Sequence, residues 1–148
     1  MKVILQRVKS SKVSVKGRVI GQISQGLNIL IGIEDKDNES IIDKFVEKIV
    51  NLRVFTDEEG KMNKSLLDVK GAVLLISQFT LIADCKKGRR PSYVHAAEPS
   101  KAKDLYEKVG LAIRSYGIKT ETGEFGAYMD VHIQNDGPVT IILDSDHI

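Results

Sequence analysis

Apolar and polar residues alternate through the first third of the chain. "KVILQRV" (2–8) reads as a strand, and "KVSV" (12–15) and "RVIGQI" (18–23) flank Lys16-Gly17 like the arms of a hairpin. "LNILIGI" (27–33) is apolar at almost every position, which predicts a strand buried on much of both faces. The period then changes. After the cap candidates Asp35, Asp37 and Asn38, the residues Ile42, Phe45, Val46, Ile49 and Leu52 recur at helical spacing. "LRVF" (52–55) returns to strand, and "DEEGK" (57–61) reads as a tight turn.

"AVLLISQF" (72–79) predicts a central strand. Pro99 marks the first turn of a second helix, with Leu105, Val109, Ala112, Ile113 and Tyr116 as its apolar stripe and Gly117 as its stop. Gly110 inside that helix costs about 1 kcal/mol relative to alanine. Strands at 118–122, 127–134 and 139–144 complete the pattern. Two helices among about eight strands, mostly joined by hairpin-length links, predict an α+β fold. The expected architecture is a mainly antiparallel sheet or barrel-like sandwich, in a single domain over residues 1–148.

Composition narrows the setting. The apolar fraction of 42% and charged fraction of 28% are those of a soluble globular protein, and a net charge of +2 argues for no partner by itself. No run approaches the apolar length of a membrane span, no leader pattern opens the chain, and the only cysteine, Cys85, suits a reducing compartment. A cytoplasmic protein without membrane contact is the expectation.

Familiar chemistry is missing. There is no glycine-rich phosphate loop and no dinucleotide fingerprint. No serine elbow is present, and His95, His132 and His147 are scattered beside one cysteine. His132 alternates with Val131 and Ile133 and reads as an ordinary strand side chain. An enzyme built on this chain is expected to work without metal, cofactor or conventional triad.

Three polar features stand out. Ser77, Gln78 and Thr80 interrupt the apolar run "LLISQFTLIAD" (74–84), although unpaired buried hydroxyls and amides cost roughly 1–3 kcal/mol each. They are either a strand end turning into solvent or the floor of a pocket whose hydroxyl and backbone N–H groups face a substrate carbonyl. Directly afterwards come Lys86, Lys87, Arg89 and Arg90, either a solvated loop or a grip on phosphates. Finally, "QNDGPVTIIL" (134–143) opens an apolar strand with Gly137-Pro138, the two residues least suited to a sheet.

In order along the chain, "VILQRV…SVKG", "NLRVFTDEEGKMNKSL", "SQFTLIAD", "KGRRPS", "TGEFGAYM" and "NDGPVT" together resemble the D-aminoacyl-tRNA deacylases of the bacterial and eukaryotic type. The resemblance covers essentially the whole chain. It implies hydrolysis of the ester of a D-aminoacyl-tRNA, and of mischarged glycyl-tRNA, in translation quality control. The implied partners are aminoacylated tRNA and a second copy of the chain, with active sites at the dimer interface and no role for DNA. Gly137-Pro138 would be cis and enter the partner's pocket, where its carbonyl oxygens receive the substrate amine and exclude an L side chain. Arg7 would hold that Gly-Pro loop, and Met129 would line the pocket. Phe79 and Phe125 would line it or simply pack. Tyr93 stands where the family more often has phenylalanine.

Two mechanisms are open on the residues. Thr80 could be the nucleophile, although no histidine or lysine is an obvious base for it. Alternatively the protein positions the ester for attack by water or the tRNA 2′-hydroxyl. Backbone N–H groups around Gln78 and Phe79 would then stabilise the oxyanion while Ser77, Gln78 and Thr80 orient the ribose end. Asp84 is either a base or a loop cap. Outside this reading stand a non-catalytic binder of RNA ends and a related aminoacyl-ester hydrolase of different chirality.

Overall fold

The computed structural model describes residues 1–148. Its organising element is β1 (Lys2–Val15), fourteen residues long. The strands expected at 2–8 and 12–15 are one, because the polar stretch Lys9–Ser11 is carried through as an irregularity in the pairing and does not become a turn. Lys16 and Gly17 both have positive φ (49° and 77°) and close the hairpin to β2 (Arg18–Ile23). β3 (Gly26–Gly32) then runs antiparallel to the first half of β1.

The next connections are helical, and they change the strand direction. α1 (Ile42–Asn51) buries Ile42, Phe45, Val46, Ile49 and Val50 on one face. It is followed by the short pair β4 (Phe55–Thr56) and β5 (Met62–Lys64), whose turn is organised by Asp57. The Asp57 carboxylate accepts from the amides of Glu59 and Lys61 and from the Asn63 side chain, and the Asn63 bond is the main reason its acidity is strengthened. Ser65 and Asp68 then cap each other reciprocally.

β6 (Ala72–Ser77) lies parallel to β3, and β7 (Thr120–Thr122) lies parallel to β6. Parallel neighbours require a crossover, and α1 and α2 (Pro99–Ser115) lie within the two crossovers. The sheet is therefore mixed, with antiparallel pairing around β1 and parallel pairing beyond β3. Pro99 opens α2 at its first turn, where a missing N–H costs nothing.

The last strand answers the question set by Gly137-Pro138. Residues 130–144 form one strand, β8 (Asp130–Asp144), paired antiparallel to β1 along most of its length. Val8 faces Asn135, but Gln6 faces Thr140, so Asp136 to Val139 bulge out opposite Arg7. The pair begins no strand; it forms the bulge of a long one, where a missing N–H is tolerated.

Helices cover one face of the sheet with a core including Val3, Leu5, Ile29, Phe45, Val73, Leu75, Leu105 and Val109. Each such burial contributes about 1.5–3 kcal/mol. On the opposite face the sheet curls around Val8, Val13, Ile23, Leu74 and Ile76. The curl nearly closes: a side-chain carbon at Gly21 of β2 would lie 3.0 Å from the Thr122 carbonyl oxygen of β7. This is the expected two-helix, barrel-like α+β architecture. No helix is long and apolar enough to cross a membrane.

Candidate active site

β6 runs out of buried apolar residues at Ser77, and the chain turns through a 3-10 segment, Phe79–Ile82. At this end a cavity of about 490 Å³ opens. Its floor is Ile76, Ser77 and Gln78, with Phe79 at the rim; one wall is the small-residue entry to α2, and the other runs from Phe125 to Met129 and Val131. The lining is mostly apolar with a few polar groups converging at the floor, as expected of a site for a small or terminal chemical group.

Three ties hold the walls. The amide of Ala97 donates to the Ile33 carbonyl at 3.0 Å and that of Gly123 to Leu75 at 3.1 Å. Tyr106 of α2 donates its hydroxyl to the Leu75 carbonyl at 2.8 Å, and its ring lies 5.9 Å from that of Phe125. Burial pushes the Tyr106 phenol up to about 12. It remains a neutral donor at physiological pH.

The floor chemistry is more restricted than the sequence suggests. The Gln78 amide donates to the Ile31 carbonyl at 2.7 Å, so it is occupied. The amides of Phe79 and Thr80 open the 3-10 turn and have no acceptor within it. The Gln78 side-chain amide donates to the Thr80 hydroxyl oxygen. An amide donor draws on the lone pair that a nucleophile would use and cannot take its proton, so this environment does not activate Thr80. Asp84 accepts from the amide of Lys86 at 2.9 Å and exchanges two backbone hydrogen bonds with Ser92. It caps the basic loop.

Lys86, Lys87, Arg89 and Arg90 are all exposed on that loop. Tyr93, at its far end, meets Phe79 edge-on with ring centres 5.0 Å apart, which ties the cationic loop to the cavity rim.

Arg7 and Gly137-Pro138 form a second constellation that lines no part of the cavity within one chain. Arg7 is nine-tenths buried. Its guanidinium donates to the carbonyls of Asp136 at 3.0 Å and Val54 at 2.7 Å and lies 3.2 Å from the Asp136 carboxylate. It thus clamps the bulge. The Gly137–Pro138 peptide is cis, and both residues are exposed. Gly137 has φ 128°, a conformation that residues with an L side chain rarely adopt.

Of the residues singled out in the sequence, Ser77, Gln78, Phe79 and Met129 meet at one cavity, and Phe125 joins them. Sequence reasoning missed Ala96, Ala97, Ala102 and Tyr128. The alanines carry no chemical signal; they matter by leaving space.

Fold and cavity together define an α+β protein with an apolar, end-group-sized pocket, hydroxyl and amide groups at its floor and cations at its rim. A family model described as D-Tyr-tRNA(Tyr) deacylase matches residues 4–144. A D-aminoacyl-tRNA deacylase of Aquifex aeolicus (strain VF5) is 55% identical over 148 residues, covering all of both chains. One of Thermosipho melanesiensis is 56% identical over 146 residues, covering 98% of this chain and 97% of its own. Among solved structures, a "c-Myc DNA Unwinding Element Binding Protein" superposes with a TM-score of 0.91 at 41% identity, covering 97% of this chain and 98% of its own. A probable eukaryotic D-amino acid tRNA deacylase shares the fold, with a TM-score of 0.83 at 17% identity over 96% of this chain and 97% of its own. The chain belongs to the D-Tyr-tRNA(Tyr) deacylase family.

Proposed function

We propose that this protein hydrolyses the ester of D-aminoacyl-tRNA, and of mischarged glycyl-tRNA, releasing the amino acid and free tRNA in the cytoplasm. The observation that carries the reading is the single cavity at the end of β6, in a chain related to D-aminoacyl-tRNA deacylases along its whole length.

In this reading residues 1–148 act as one domain. The aminoacylated 3′ end enters between Phe79 and the Phe125–Met129 wall, with Ser77, Gln78 and Thr80 orienting the terminal ribose. The free amides of Phe79 and Thr80 receive the oxyanion as water, assisted by the tRNA 2′-hydroxyl, attacks the ester carbonyl. The C–O bond to the ribose then breaks, and the ribose oxygen takes up the proton lost by water. An activated ester needs little help, because each ~1.4 kcal/mol of transition-state stabilisation is tenfold in rate. Lys86, Lys87, Arg89 and Arg90 hold phosphates near the cavity mouth.

Chiral selection comes from a second copy of the chain. Gly137-Pro138, braced by Arg7 and exposed in one chain, projects into the partner's cavity beside Met129. There it fills the space an L side chain would need, so selection works by exclusion.

The test is the rate of deacylation of D-tyrosyl-tRNA against L-tyrosyl-tRNA with purified protein in chelator. Rapid loss of the D ester alone is expected. Equal loss of both esters would leave an ester hydrolase without chiral choice, and salt-sensitive RNA binding with no turnover would leave a binder of RNA ends.

A further inference from the structure

The first carboxylate in the chain is Glu34. Before it stand six cations, of which Lys2 and Arg7 are paired with Asp144 and Asp136. The other four, Lys9, Lys12, Lys16 and Arg18, lie on the hairpin of β1 and β2, are all exposed, and take part in no ion pair. Six of the twelve lysines that follow Glu34 are ion-paired, among them Lys36 with Asp146, Lys64 with Glu58, and Lys108 with Glu39. The hairpin itself carries no carboxylate, while Asp130, two residues before His132 on the same face of β8, faces Ser14.

On the same surface lies a polar cleft of about 360 Å³. Its register is fixed by the sheet: Lys12 of β1 faces Gln22 of β2 on one side and His132 of β8 on the other. One step along, Ser10 faces Gln134 and donates its hydroxyl to that side-chain oxygen at 3.0 Å, leaving the Gln134 amide hydrogens free as donors. The cleft thus offers an ammonium, an imidazole and two amides, with no carboxylate in its lining. That donor set suits an anion.

The position of the cleft identifies the anion. Val131 lines the active-site cavity, and the next residue, His132, lines the cleft. Successive side chains of a strand point to opposite faces about 3.3 Å apart along the chain, so the two sites are the two sides of β8. Within the chain β8 pairs only with β1, so its outer edge is open at residues 130–134, before the Gly137-Pro138 bulge. A strand of RNA whose 3′ end occupies the cavity can cross that edge directly onto the cationic hairpin.

We propose that the β1–β2–β8 face around Lys12 and His132 is a second RNA-binding surface, holding the phosphodiester backbone of the substrate as it leaves the cavity. The proposal rests on the hydrolytic reading above. Lys12 and His132 contact phosphates; Lys9, Lys16 and Arg18 extend the field along the hairpin. The surface is separate from the loop at residues 86–90, so the RNA is gripped on both sides of the cavity mouth.

The test compares wild type with the double variant Lys12→Ala, His132→Ala on D-tyrosyl-tRNA and on 3′-D-tyrosyladenosine, which carries the same ester without a phosphodiester chain. The expected result on tRNA is a KM raised roughly tenfold at 0.1–0.2 M salt, kcat unchanged, and a log–log salt slope shallower by about one to two. Hydrolysis of the adenosine ester is expected to be unchanged. An unaltered KM and slope on tRNA, or equal loss on both substrates, would overturn the proposal. Binding of uncharged tRNA, read by fluorescence anisotropy across the same salts, separates the two readings. If wild type hydrolyses neither ester, the hydrolytic reading falls, while the slope difference between wild type and variant still decides the surface.

Discussion

Gly123 shows how one missing methyl shapes the cavity. A side-chain carbon there would lie 2.6 Å from the Met129 sulfur and 3.1 Å from the Ile76 Cδ1. Both neighbours line the cavity, and the nearer one is the mobile end of a flexible side chain. Gly123→Ala is therefore expected to cost only about 1 kcal/mol of stability while pushing Met129 into the substrate's space. The expected readout is kcat/KM for D-tyrosyl-tRNA reduced about tenfold or more with a nearly unchanged denaturant midpoint. Normal kcat/KM in a stable variant would show that substrate does not rest against Met129. Arg7 presents the opposite balance. Arg7→Ala strips donors from two carbonyls, one of them in the buried Arg7–Val54 bond, and leaves the Asp136 carboxylate without its cation. A loss of about 2–4 kcal/mol in urea denaturation is expected, since an unsatisfied buried acceptor alone costs about 1–3 kcal/mol. A loss under 0.5 kcal/mol would mean that the clamp does not hold the bulge.

Elements that differ from their sequence pattern do so for local reasons. Helices were legible because Ile42–Ile49 and Leu105–Ile113 keep a helical period against a single core. The two long strands read as four segments because Lys9-Ser10 and Gly137-Pro138 carry turn-like chemistry, and only the pairing to β1 shows that the chain continues through them. "LRVF" shrinks to Phe55–Thr56 because Leu52 and Arg53 are taken up in leaving α1. The site was legible at its polar floor and invisible at its alanine wall, since a gap has no residue code. Packing of α2 over that wall yields a pH-dependent expectation through Tyr106. Its phenol is raised from 10.0 to about 12 by burial, so the folded chain keeps a proton that the unfolded chain begins to release near pH 10. The associated stability is intact below about pH 10 and is lost as pH rises toward 12. Two pKa units correspond to at most about 2.7 kcal/mol. Tyr106→Phe removes this alkaline dependence along with the bond to Leu75, costing about 1 kcal/mol at neutral pH. Urea midpoints at pH 8, 10 and 11.5 should fall less steeply in the variant than in wild type; lysine titration is common to both and cancels. Parallel declines would show that the phenol does not carry the alkaline sensitivity.

At the scale of the molecule, β8 is the unresolved contradiction of a single chain. It is a fifteen-residue edge strand with an open side, an arrangement that soluble proteins usually blunt or cover. Its outward row continues across the sheet as Ile142, Ile4 and Leu30, and Ile142 is 72% exposed. Exposed Phe79 stands at the cavity rim, and the Gly137-Pro138 bulge projects from the same strand without meeting its own cavity. The dimer proposed above would account for the bulge and for the strand beyond it: two chains related by a two-fold axis, each covering the other's apolar row and delivering its bulge to the other's pocket. Ile142→Lys tests this cleanly, because a residue so exposed contributes little to the fold of one chain. Sedimentation equilibrium is expected to give a dimer for wild type and a folded monomer for the variant. The variant should still bind tRNA through its cationic loop, but it should lose the preference for D over L esters, because the excluding Gly-Pro pair no longer arrives from a partner. A monomeric variant with intact discrimination would place the chiral filter within one chain, and a dimeric variant would move the interface away from Ile142.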